Sequence, residues 1–99
     1  MLIYVAHESC GKIANIKKAK KITHDLQIAD LDNSYVCPLL LFSHLKYQEI
    51  EYNAKTDLFL DILSVCDKLI VASKISKRVA KEIEFANLVG MEVEYLENP

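Results

Sequence analysis

A chain of 99 residues with 52% apolar and 26% charged side chains has the make-up of a folded domain, well away from disorder. That length suits one domain over residues 1–99, burying roughly 60–70% of the surface its unfolded form exposes. A formal net charge of −2 gives no electrostatic case for nucleic acid or an anionic membrane, and no apolar run approaches a membrane span.

Leu2-Ile3-Tyr4-Val5-Ala6 is a continuous apolar run, as in a strand buried on both faces. The chain enters it without a signal-peptide pattern, so a cytoplasmic protein is expected. The loop His7-Glu8-Ser9-Cys10-Gly11 follows at the carboxyl end of that strand, where ligands bind in open α/β sheets. A helix is predicted from about Lys12 to Ala29, with Ile16, Ala19, Ile22, Thr23 and Leu26 inward. Lys17, Lys18, Lys20 and Lys21 form its solvated basic face.

Asp30-Leu31-Asp32-Asn33 is a turn cluster, and Ser34 to Cys37 is a short second strand stopped by Pro38. Leu39 to Tyr47 is apolar, aperiodic and holds His44; it reads as a loop or irregular helix over the same sheet edge. A helix from about Gln48 to Leu63 is expected to turn Ala54, Leu58, Ile62 and then Val65 inward, flanked by Asp57 and Asp61. A third strand, about Lys68 to Ser73, leads to a helix from Lys77 to Leu88, a stop at Gly90 and a last strand from Met91 to Leu96. The alternation Glu92-Val93-Glu94-Tyr95 suits an edge strand guarded against pairing with neighbours.

This order of elements is that of a parallel α/β sandwich. Right-handed crossovers place its four strands in the order 2-1-3-4. The loops after strands 1 and 3 then face one another across a crevice, and Pro38 to His44 closes a third side. On the last helix Val79, Ile83, Ala86 and Gly90 form the inner stripe, while Lys77, Lys81 and Glu84 point to water. Glu82 falls on the shoulder of that stripe and is expected to point toward the crevice, where burial would raise its pKa. His7 is a candidate ligand contact at a strand end, and Asp57 and Asp61 are candidates for proton transfer. The three cysteines are odd in number and lack C-x-x-C spacing, so reduced thiols are expected, with Cys66 a small core residue and Cys10 in the crevice loop. No metal-ligand spacing, G-x-G-x-x-G or P-loop is visible, and neither a metal nor a cofactor is expected.

Met1 to His7, Asn15, Cys37-Pro38, Cys66-Asp67 and the block Ser76-x5-Glu82-x3-Ala86-x3-Gly90 together resemble the nucleoside 2-deoxyribosyltransferase-like superfamily, especially its short bacterial and phage members. The resemblance spans nearly the whole chain. It implies a three-layer flavodoxin-like Rossmann fold and a homodimer or higher homo-oligomer. It also implies action on the N-glycosidic bond of a deoxynucleoside or its monophosphate, with Glu82 as nucleophile. His7, Glu8, Ser9 and Gly11 would line the sugar and base side, beside Pro38, and Ser76 would hold the sugar or its phosphate at a helix N-terminus.

The chain departs from the family pattern at three points around the crevice. Arg78 replaces a glycine four residues before the nucleophile, Glu8-Ser9 replaces a Pro-aromatic pair, and Leu40 replaces a histidine. Arg78 can give a phosphate a guanidinium, which glycine cannot. Three functions are therefore carried forward: a glycosidic-bond enzyme, a non-catalytic binder of a nucleoside or nucleotide, and an oligomeric scaffold with a vestigial site. The first requires a Glu82 carboxylate open to the crevice.

Overall fold

The computed structural model describes residues 1–9, 11–43 and 52–96, with backbone alone for 52–54. Its elements are β1 (Leu2–Ala6), α1 (Ile13–Ala29), β2 (Ser34–Val36), α2 (Pro38–Phe42), α3 (Tyr52–Leu63), β3 (Lys68–Val71), α4 (Lys77–Leu88) and β4 (Glu92–Tyr95). The sheet is parallel throughout and ordered β2-β1-β3-β4, as the crossover argument expects. Central β1 and β3 are started together: the Leu2 N–H donates to Asp67 Oδ2 at 2.8 Å, and the Asp67 N–H donates to the Leu2 carbonyl at 2.8 Å.

The register sorts the side chains onto two faces. Tyr4 stands beside Val36 and Leu69, and Leu69 beside Val93, so these four share one face; Val5, Ile70 and Glu94 share the other. Right-handed crossovers put α1 on one face and α3 with α4 on the opposite one. The Tyr4 hydroxyl bonds to Glu82 of α4, which fixes the Tyr4 face as the one under α3 and α4. On the other face α1 connects β1 to β2, and the β3–β4 pair carries charge. Lys68 Nζ bridges Glu92 and Glu94 at 3.0 Å each. The alternation in β4 thus serves an ion-pair ladder on the sheet face as well as edge protection.

The core comprises Tyr4, Val5, Ala6, Ala19, Leu39, Phe59, Leu63, Leu69, Val71, Val79 and Ala86, with Cys37 and Cys66 as buried free thiols. Two phases differ from expectation. In α3 the buried positions are Thr56, Phe59 and Leu63, while Leu58 and Ile62 are half-buried and Val65 is 67% exposed. The helix is turned by one residue because the Phe59 ring, larger than any residue of the expected stripe, seats against Phe42 with centroids 5.2 Å apart. In α4 the buried residues are Val79, Glu82 and Ala86, with Ile83 half-buried. Glu82 therefore lies at the centre of the inner stripe.

Helix ends follow local chemistry. Pro38 occupies the first position of α2, where its missing N–H costs nothing, and both Pro38 and Leu39 are buried. The expected irregular segment thus begins as a short helix; Leu39 to Ser43 are described, whereas His44 to Tyr47 and the expected helix start at 48–51 lie outside the described residues. At the end of α4, Gly90 takes φ +73°, its N–H donates to Asn87 O, and Met91 N–H donates to Ala86 O at 2.9 Å. That pair of bonds is a Schellman stop, which requires a left-handed residue. No helix among the described residues is long and apolar enough to cross a membrane.

A Cβ at Gly90 meets nothing within 4 Å, so Gly90→Ala carries backbone strain alone. It is expected to cost about 1–2 kcal/mol in urea denaturation. Leu63→Ala, which opens a cavity at a fully buried site, is expected to cost about 2–5 kcal/mol.

Candidate functional site

β1 and β3 end side by side at the carboxyl edge, and their loops are joined there. The Glu8 N–H donates to Ser73 Oγ at 2.8 Å, and the Ser73 hydroxyl donates to Lys74 O at 2.9 Å. Ser9 O accepts from the Lys12 N–H at 2.8 Å and from Asn15 Nδ2 at 3.0 Å, folding the first loop into the start of α1. Gly11, at φ +69°, turns the chain into that helix. Ser76 caps α4 by accepting from the Val79 N–H at 3.3 Å.

Glu82 is fully buried and both of its oxygens are occupied. The Tyr4 hydroxyl donates to Oε2, and Arg78 Nη1 donates to Oε1 at 2.8 Å from one turn earlier on the same helix. Arg78 Nη2 donates to the His7 carbonyl at 2.6 Å, and the guanidinium carbon lies 4.3 Å over the Phe59 ring. One planar side chain, 10% exposed, thus ties the end of β1 to α3 and α4. Burial pushes the Glu82 carboxyl from its ordinary 4.5 up to about 8, and the two donors, which favour the ionised form, act against that rise.

Lys55 on α3 is close enough to Arg78 for the two charges to interact; burial first, and then that neighbour, lower its pKa. Burial likewise raises the Cys37 thiol, and raises Cys66 to about 11 with help from Asp67. Neither thiol is poised as a nucleophile. Among the described residues, no three histidine, cysteine, aspartate or glutamate side chains gather as a metal site.

The expected site residues divide into three groups. His7, Glu8, Arg78 and Glu82 converge, joined by Tyr4, Phe59 and Ser73, which sequence reasoning missed. Ser9, Gly11 and Ser76 shape the adjoining loops and helix start, and Pro38 begins α2. Asp57 and Asp61 stand exposed on α3 and take no part in the Glu82 network. Glu82 itself turns inward under Arg78 instead of opening to the crevice. Tyr4 had one legible signal, being the one hydroxyl in an otherwise aliphatic strand and two residues from Ala6 on the same face. Phe59 had none, because its role depends on the phase of α3. Away from these residues, an apolar groove of about 260 Å³ runs between α3 and α4 and is lined by Leu60, Phe85 and Leu88 with Lys81 and Glu84.

No family model, no curated protein and no solved structure matches this chain.

A carboxyl whose folded pKa exceeds its unfolded value contributes fully to stability below about 4.5 and loses that contribution as pH climbs toward 8. Urea midpoints are expected to fall across this window, and Glu82→Gln to flatten the fall. Arg78→Ala should steepen it. The carboxylate left unpaired costs about 3–5 kcal/mol on the alkaline side, and much less where it is protonated.

Proposed function

We propose that this chain binds a nucleoside or its monophosphate over the carboxyl edge of its sheet without cleaving it. The observation that carries the reading is the closure of Glu82: neither oxygen has an open path to an anomeric carbon while Tyr4 and Arg78 hold them. The place supports a ligand, since the strand order reverses between β1 and β3, where α/β sheets take their ligands. The chemistry of the surroundings supports an anionic one, because α3 and α4 each bring a cation, Lys55 and Arg78, to the same edge. The choice of a nucleoside skeleton rests on the resemblance to the 2-deoxyribosyltransferase-like superfamily. A homodimer belongs to the same proposal, and the α3–α4 groove, whose Leu88 is 78% exposed, is the surface offered for it.

One observation favours catalysis as the second reading: a carboxyl raised toward neutrality at a sheet edge is the kind of group that active sites keep. A ligand phosphate competes with Glu82 for the guanidinium, and withdrawal of Arg78 would bare Oε1. The carboxylate would then form an ester to the anomeric carbon as the C–N bond breaks and the departing base takes a proton from water. Water or a second base would cleave that ester to release the sugar.

Incubation with deoxynucleosides and their monophosphates, followed by chromatography for free base, separates the readings. The binder reading expects no base release and a melting point raised by a few degrees, through mass action on the native state. Base release that disappears in Glu82→Ala would establish the catalytic reading instead. No ligand raising the melting point would leave a scaffold.

A further inference from the structure

His7 is 3% exposed, and its ring is fixed by one contact, Nδ1 to the Glu8 carbonyl at 2.7 Å. A carbonyl only accepts, so Nδ1 carries the hydrogen and, in the neutral ring, Nε2 is a bare acceptor. Among the described residues Nε2 has no hydrogen-bond partner. Buried polar atoms are almost always paired, and an acceptor held without a donor at the carboxyl edge, where α/β sheets take their ligands, calls for an explanation. The rest of the residue is secured: the His7 carbonyl is taken by Arg78, and the following N–H by Ser73. The ring is thus held through Nδ1 and its backbone through Arg78 and Ser73, with Nε2 unpaired among the described residues.

We infer that His7 Nε2 is a specificity-determining acceptor that takes a hydrogen bond from a hydroxyl or amine donor of the bound ligand. This rests on the nucleoside reading above and deepens it, because it names the functional group the edge selects. A ligand offering only acceptors at that point, such as a phosphate oxygen, would leave the nitrogen unmet. The donor is either a sugar hydroxyl or the exocyclic amine of a base, and the two are separable.

The test is long-range proton–nitrogen NMR of the ¹⁵N-labelled full chain, with deoxyadenosine monophosphate and its 2′,3′-dideoxy analogue as probes. The free protein is expected to show a protonated Nδ1 and an unprotonated Nε2 for His7. Deoxyadenosine monophosphate should shift the Nε2 resonance. A shift lost with the dideoxy probe assigns the donor to the sugar hydroxyl, and a shift kept assigns it to the amine. Affinity should fall roughly tenfold in His7→Phe, as one lost hydrogen bond implies, and recover in His7→Gln, whose amide oxygen can still accept. A free ring protonated on Nε2 would overturn the inference. So would a nucleotide that raises the melting point while leaving Nε2 unmoved, in which case the binding reading survives. If neither probe raises the melting point, the binding reading falls and takes this inference with it.

Discussion

A glutamate with no exposed surface sits in the middle of the helix face that packs on the sheet, and the arrangement of the carboxyl edge follows from satisfying it. An ionised carboxylate removed from water costs several kcal/mol unless it is paired and hydrogen-bonded. Here one donor comes from β1 below, through the Tyr4 hydroxyl, and the other from Arg78 on the same helix. Arg78 must then lie flat over Phe59 with its second nitrogen on the His7 carbonyl. These contacts join α4 to β1, to Phe59 of α3 and to the start of the loop after β1.

The same saturation separates what Glu82 is placed to do from what it is free to do. The carboxyl lies under the helix that packs on the sheet, with its oxygens on Tyr4 and Arg78. Each oxygen thus accepts from a side chain, and Glu82 has no exposed surface. Arg78 accounts for that closure, giving Oε1 a cationic donor at 2.8 Å. The ends of β1 and β3 meet at this edge, and among the described residues His7 Nε2 there has no hydrogen-bond partner.

Much of the architecture was legible in the chain. The continuous apolar runs at Leu2–Ala6 and Leu69–Ala72 announce central parallel strands, and crossover handedness then dictates their order. Gly90 marks the end of α4 because a Schellman stop needs its positive φ. What failed was phase within helices. A hydrophobic wheel ranks Ile83 above Glu82, because it cannot know that a tyrosine on β1 supplies a donor. In α3 the pattern Ala54, Leu58, Ile62 was displaced by Phe59, whose burial is rewarded by contacts with Phe42 and Arg78 that exist only in the folded state. Asp57 and Asp61 consequently turn outward, and the candidate site draws on Tyr4 and Ser73 in their stead.

The central claim is that Arg78 and Glu82 act as a unit. A double-mutant cycle of Arg78→Met and Glu82→Met, read by urea denaturation at mildly alkaline pH, tests it most directly. Each single variant strands a buried partner, whereas the double variant replaces the pair with apolar side chains of similar volume. The account predicts that the double variant is more stable than the sum of the singles implies, by more than about 1 kcal/mol. Additivity to within about 0.5 kcal/mol would contradict it.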